Sequence, residues 1–284
     1  MSGRSSVWLV AQHPSRHQRR GRYLAESSCH PAKMLPALAR HAIATYTEPG
    51  AVVLDPMCGI GTTLVEAAHL GRDGFGIEYE PRWASLAQAN VAFARSNGAS
   101  GEAEVVIGDC RHIASLVPAE LVGQVGLVLT SPPYGPSTHG RVVCEPTKVH
   151  KRDARYSADR ANLAHRGVGP LVTAMEDMLA SACRVLAPDG VVVLSARPWR
   201  RQGALIDLPG ALVGAAWAAG LVLVERNVAL LAGVRGQALV PRASFFQLHE
   251  VRRARRAGSP QQVIAHEDVL VFEKRRSSLG SGKL

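Results

Sequence analysis

The sequence predicts an α/β protein built on a seven-stranded, mostly parallel sheet with helices on both faces. Three observations predict it. Short apolar runs alternate with longer helical patterns through the middle of the chain. The helical stretches are Ala-rich, with apolar residues at three- and four-residue spacing that suit packing on a sheet. A glycine turn follows the first strand directly and opens a helix.

Taken in order, strands are expected over 51–55, 74–78, 103–108, 125–130, 190–196, 221–231 and 268–274. Between them the spacing predicts helices over 36–46, 62–70, 81–96, 171–186 and 204–219, with a short turn after Arg111. Glycines punctuate the ends: Gly71, Gly98 and Gly220 each follow a helix, and Pro188-Asp189-Gly190 turns the chain into the fifth strand.

The 284 residues are 46% hydrophobic, enough to bury one substantial core, so a single domain over 1–284 is expected. Lys and Arg number 33 against 23 acids, and the resulting charge of +10 makes a polyanion the first partner to consider. The excess gathers in a basic N-terminal segment, 1–29, and in basic inserts over 136–170 and 249–266, the last holding the run RRARR. Inserts that interrupt an α/β core form loops at its rim, where binding is placed. Each segment alone reads as solvated surface; three together point to a nucleic-acid groove, with Lys148, Lys151, Arg152, Arg155, Arg252, Arg253, Arg255 and Arg256 as its candidate contacts. Trp8 and Tyr23, close to basic residues, are expected in the core.

Five cysteines, at 29, 58, 110, 144 and 183, form no CxxC pair, which argues against a zinc site and a disulfide framework. His139, His150 and His165 lack metal-ligand spacing and read as solvated loop residues, so no metal is expected. The apolar run at 7–11 is too short for a signal peptide, and no run has the length of a membrane span. A soluble protein of the reducing cytoplasm is expected, with no membrane partner.

Asp55-Pro56-Met57-Cys58-Gly59-Ile60-Gly61-Thr62-Thr63 carries the first chemistry. A strand, glycine turn and helix bring bare backbone close to a ligand. The spacing is not GxGxxG, and Asp55 would repel a pyrophosphate but suit a cationic amino group, which favours a cofactor bearing an amino acid. Glu78 ends the second strand 17 residues beyond Gly61, where an acid accepts both hydroxyls of a ribose. Asp109 ends the third and suits an adenine amino group. The same acids also suit a turn, a helix N-terminus before Pro81 and a helix cap, respectively. Their recurrence at three successive strand ends, which meet at one sheet edge, favours the ligand. Cys58 and Cys110 read as small residues lining that ligand.

After the fourth strand comes Thr130-Ser131-Pro132-Pro133-Tyr134-Gly135. This loop resembles that of the DNA amino-methyltransferases, whose signature is Asp, Asn or Ser, then Pro-Pro, then an aromatic residue. The Ser form is most familiar from N4-cytosine enzymes. His30-Pro31-Ala32-Lys33-Met34, LDPMCGIGTT and LGRDGFGIE are similar to the run joining the family's methionine-end motif to its glycine loop. The resemblance is close from His30 to Glu80 and at the Ser131 loop, and fold-level beyond. It implies a Rossmann-like class I methyltransferase that uses S-adenosyl-L-methionine. His30, Lys33, Asp55, Pro56, Cys58, Gly59, Gly61, Thr62, Thr63, Glu78, Asp109 and Cys110 would then hold the cofactor, and Ser131, Pro132, Pro133 and Tyr134 would do the catalysis.

The chemistry asks for such residues. An exocyclic amine on a base is a poor nucleophile because its lone pair is delocalised into the ring, so the site must accept both of its N–H groups. The Ser131 hydroxyl and the Pro132 carbonyl would accept, consecutive prolines remove competing donors, and Tyr134 would stack on a flipped base. The resemblance implies DNA as the partner, with methylation at N4 of cytosine favoured over N6 of adenine. Two alternatives stay open: an RNA base N-methyltransferase of the tRNA guanine-N2 type, and a nucleic-acid-binding protein that keeps the fold without catalysis.

Overall fold

The computed structural model describes residues 5–133, 141–145, 148–152, 156–157, 159, 162–201, 203–243 and 245–275. The chain begins with β1 (Val7–Trp8) and α1 (Ser15–Arg19), then α2 (Pro36–Tyr46), β2 (Val52–Asp55), α3 (Thr62–His69), β3 (Asp73–Glu78), α4 (Pro81–Ser96), β4 (Ala103–Ile107), α5 (Ile113–Leu116) and β5 (Val125–Thr130). A hairpin of β6 (Arg141–Glu145) and β7 (Lys148–Arg152) follows, then α6 (Val168–Val185) and β8 (Leu186–Ala196). The remainder comprises β9 (Trp199–Arg201), β10 (Ala204–Ile206), α7 (Leu208–Ala218), β11 (Leu221–Leu230), β12 (Ala232–Arg235), β13 (Ala238–Pro241), α8 (Phe245–Arg256) and β14 (His266–Lys274).

The central sheet runs β1-β11-β14-β8-β5-β2-β3-β4. It therefore has eight strands where seven were expected. All seven expected strands are present, and the addition is the two-residue β1, which pairs parallel to β11 at Val7↔Val228. Pairs from β8 through β5, β2 and β3 to β4 are parallel, while β14 runs against both its neighbours.

Period-two alternation sends neighbouring side chains of each strand to opposite faces. Leu54, Val128, Leu194 and Phe272 meet α6 and α7 on one side. Val53, Leu127, Leu129 and Val271 meet α2 and Trp8 on the other. A third cluster, with Leu64, Val65, Trp83 and Tyr23, joins α3 to α4. Trp8 and Tyr23 are buried, as expected.

Parallel order gathers the functional connections at one edge. The segments after β5, β8 and β11 all leave from carboxyl ends, and β14 starts there too, since its Asp268 lies level with Ala196 at the end of β8. Ligands of open α/β sheets bind outside this edge.

Most boundaries shift by three residues or fewer, and three segments differ in kind from expectation. The strand expected from Gly190 begins at Leu186, and its pairing with β5 jumps from Val125↔Leu186 to Val125's next-but-one residue, Leu127↔Val191. Pro188-Asp189-Gly190 is thus a bulge within the strand, and a Cβ at Gly190 would lie 2.6 Å from the Val125 carbonyl oxygen. The helix expected over 204–219 splits: 204–206 pairs with β9, and the helix starts only after Asp207, whose carboxylate accepts from Gly210 N at 3.0 Å. The 249–266 insert is half helix, because α8 carries the RRARR run.

In the basic N-terminal segment, two of the five arginines, Arg19 and Arg22, serve the core. Glu66 of α3 is completely buried and accepts from Arg22 at 2.8 Å, Arg40 at 3.1 Å and the Tyr23 hydroxyl at 2.8 Å. Arg19 is buried, and its guanidinium donates to the Met34 carbonyl and to Thr62 Oγ1. Arg19 and Arg22 bind the segment to the fold and are not available to a polyanion.

Candidate active site

A cleft of about 1080 Å³, counting its open mouth, lies at the carboxyl edge between the glycine turn and the Ser131 turn. Of the residues expected to hold a cofactor, His30, Lys33, Asp55, Pro56, Cys58, Gly59, Thr62, Glu78, Asp109 and Cys110 line it. Gly61 and Thr63 stand behind the wall. Gly61 has φ +78° and lets α3 meet α4, since a Cβ there would sit 3.1 Å from the Ala87 Cβ. Thr63 donates to Asp55 Oδ2 at 2.6 Å. Ser131, Pro132 and Pro133 line the same cleft. Tyr134 lies outside the described residues.

Each wall has a local cause. β2 delivers Asp55 to the cleft floor, where Met57 N donates to its Oδ1 at 3.1 Å. Burial pushes its carboxyl up to about 6, against the Thr63 hydrogen bond. β3 delivers Glu78, which accepts from Gly59 N at 2.8 Å through Oε2 and from Glu80 N at 2.9 Å through Oε1. Burial lifts it to about 7. Asp109 follows β4, and its carboxyl is held below the ordinary range by Arg111, whose side chain and backbone N both donate to it. It therefore does cap the turn over Cys110–His112, the structural role left open above.

His30 ends the 3-10 turn Ala25–Cys29 and is buried, with Ala32 N donating to Nδ1 at 3.3 Å. Burial, then the Lys33 charge, lowers its pKa to about 3, so the ring is neutral. Lys33 Nζ donates to the His30 carbonyl. Nε2 of His30 has no partner among the described residues and faces Gly59, where a Cβ would come within 3.1 Å. Gly59, at φ +55°, keeps that space open. Burial raises the Cys58 thiol well above its ordinary value and Cys110 to about 12, so neither supplies a thiolate.

Sequence reasoning missed several wall residues: Met34, Met57, Tyr79, Tyr156, Asn162, Leu163 and Glu267. Glu267 was within reach, because a last strand running antiparallel must begin at the carboxyl edge. Tyr156 was not, since it sits in the basic insert far from any motif. Its hydroxyl donates to Glu78, 3.1 Å from Oε2 and 3.3 Å from Oε1, and its ring meets His30 edge-on at 5.0 Å. His165, expected to be solvated, is half-buried, and its Nε2 lies 2.9 Å from the Ser157 carbonyl oxygen.

Among the expected nucleic-acid contacts, Arg252, Arg253, Arg255 and Arg256 are exposed on α8. Arg253 pairs with Glu250 at 2.7 Å, and Arg255 donates to the Gln261 carbonyl at 2.9 Å. Lys148, Lys151 and Arg152 fall on β7, their side chains outside the described residues, as are Arg155, His139 and His150. No group of metal ligands occurs among the described residues, and no described helix is long and apolar enough to cross a membrane.

Strand order, antiparallel last strand and a cleft at the carboxyl edge define the Rossmann-like class I methyltransferase fold. Residues 2–89, which hold the His30 segment, the glycine turn and Glu78, match the family model described as DNA methylase, in line with the resemblance of the sequence to the amino-methyltransferases. A tRNA (guanine(10)-N2)-dimethyltransferase of Methanocaldococcus jannaschii is 33% identical over 110 residues, covering 38% of this chain and 31% of that protein. The crystal structure of TrmN from Thermus thermophilus superposes with a TM-score of 0.54 at 20% identity, over 90% of this chain and 53% of the other. The chain thus spans about a third of the curated relative and half of that solved structure, and the second likeness is one of fold.

Proposed function

We propose that this chain transfers a methyl group from S-adenosylmethionine to an exocyclic amino group of a nucleic-acid base, with DNA as the substrate. The single observation that carries the reading is the shared cleft: the glycine turn with Asp55 and Glu78 on one wall, Ser131-Pro132-Pro133 on the next.

The residues fit the cofactor. Each Glu78 oxygen accepts one backbone N–H, and the second lone pair of each, where a ribose diol would bind, faces the Tyr156 hydroxyl. Asp55 accepts from Met57 N through Oδ1 and from Thr63 through Oδ2, and its carboxyl lines the cleft, where its charge would suit an ammonium group. Gly59 offers bare backbone, and the orphaned His30 Nε2 offers a polar atom beside it. When bound, the cofactor supplies an electrophilic methyl on a sulfonium.

The chain's own part is positioning. Ser131 Oγ and the Pro132 carbonyl would accept hydrogen bonds from the two amine N–H groups, which favours a pyramidal nitrogen with its lone pair free to attack. Prolines at 132 and 133 offer no N–H to compete, and neutral thiols at Cys58 and Cys110 leave the amine as the nucleophile. Tyr134 stacks on the extruded base. Water at the mouth takes the released proton, because Asp55 and Glu78 are committed to the cofactor.

The family match over 2–89 and the serine at 131 favour DNA. A second reading, an RNA guanine-N2 methyltransferase, is favoured by the name of the 33%-identical relative. Labelled S-adenosylmethionine incubated with the purified chain and either duplex DNA or structured RNA separates the two. Label in DNA is the expected result; label in RNA alone would replace the first reading by the second.

A further inference from the structure

We propose that the phenol of Tyr156 competes with the cofactor ribose for Glu78, which makes the insert after β5 a regulator of cofactor affinity. The inference rests on the reading of this cleft as a cofactor site.

Acceptor counting gives the argument. A carboxylate oxygen has about two in-plane lone pairs. Gly59 N takes one on Oε2 and Glu80 N one on Oε1, both within 2.9 Å. The Tyr156 hydroxyl straddles the remaining pair, 3.1 Å from Oε2 and 3.3 Å from Oε1. A vicinal diol bound in bidentate fashion needs one free site on each oxygen. Those are the two sites the phenol covers, so the diol and the phenol exclude one another.

The tyrosine is placed to yield without unfolding its surroundings. Its carbonyl accepts from Trp83 Nε1 at 3.1 Å and from the Arg82 guanidinium, which pins its backbone to α4. Asn162 donates to Glu80 at 3.1 Å and holds the same insert a few residues on. The ring can therefore leave Glu78 by rotating about its own side-chain bonds while the main chain stays anchored. Linkage gives the consequence: whatever draws Tyr156 away from Glu78 tightens the cofactor by the same factor by which the cofactor loosens the phenol. The insert that holds Tyr156 also carries the basic hairpin of β6 and β7, so a polyanion engaging it can act on the cofactor through this residue.

The test is calorimetry with S-adenosylhomocysteine and its 2′-deoxy derivative on wild type and Tyr156→Phe. The Phe variant keeps the ring against His30 and removes only the hydroxyl. It should bind S-adenosylhomocysteine about three- to tenfold tighter, the worth of one ordinary hydrogen bond. The gain should shrink below about twofold for the 2′-deoxy ligand, which needs only one oxygen of Glu78. Equal or weaker binding by the variant, with the ligand still bound by wild type, overturns the competition and leaves the cofactor site standing. A gain of the same size for both ligands overturns it too. Failure of both proteins to bind either ligand overturns the cofactor reading itself, and this inference with it.

Discussion

Glu78 and Asp55 carry the cost of the cleft in their own titration. Burial raises both, to about 7 and about 6, so their ionised forms fill only as pH rises through that range. The ionised carboxylate is the form that accepts a diol or attracts an ammonium. Affinity for S-adenosylmethionine is therefore expected to climb from pH 5 to pH 8, and Glu78→Gln should lose the upper step while keeping the lower one. A dissociation constant flat across this interval, followed by calorimetry in buffers of constant ionic strength, would remove both residues from the cofactor. Gly59 gives a second residue-scale test. At φ +55°, with His30 Nε2 3.1 Å from a would-be Cβ, Gly59→Ala adds backbone strain of about 1–2 kcal/mol and fills the approach to the ligand. We expect cofactor binding at least about tenfold weaker with the fold retained; circular dichroism beside the titration separates the two effects.

Elements were legible in proportion to how much of their pattern is local. Seven strands could be read because each is a short apolar run between turn signals, and α2 and α4 matched because Pro36 and Pro81 open them. The bulge at Pro188-Asp189-Gly190 was hidden because turn residues inside a strand look like a strand's start. The hairpins β9–β10 and β12–β13 were hidden because their strands are three or four residues long, too short to show an alternating pattern. In the site, Asp55, Gly59, Glu78 and the Ser131 turn were readable from their position after strands, whereas Tyr156 reaches Glu78 across 78 residues with no motif around it. The same nonlocality governs Glu66, which ties α3 to the N-terminal segment through Arg22 and Tyr23 and to α2 through Arg40. Its removal leaves those partners unsatisfied, but the two arginines are part-exposed and water can reach them. Glu66→Gln should thus cost about 2–3 kcal/mol, less than the roughly 3–5 kcal/mol of a fully buried pair that loses one partner. Chemical denaturation measures it, and faster tryptic cleavage in the segment over 16–22 would localise the loss. An unchanged midpoint would show that the apolar contacts of Trp8 and Tyr23 hold the segment by themselves.

At the scale of the whole molecule, the charge of +10 acts only where it remains on the surface. Arg19 and Arg72 are buried within the fold, Arg22 is held by Glu66, and Arg226 pairs with Asp268 at 2.9 Å. The connection between β11 and β14 keeps its charge exposed, since α8 carries four arginines in solvent at the sheet edge that holds the cleft. Arg252 and Arg256 are four residues apart and so share one side of that helix, while Arg253 and Arg255 have intramolecular partners. If this side meets phosphates, replacing both by alanine removes about two released counterions on binding. The plot of log affinity for duplex DNA against log salt should then flatten by about 1.8, at about 0.9 per phosphate contact. Affinity for S-adenosylmethionine should not change, because neither residue lines the cleft. A double variant with the wild-type salt slope would take α8 out of the interface. The hairpin of β6 and β7 would then be the next element to dissect, by the same measurement on Lys148→Ala and Lys151→Ala.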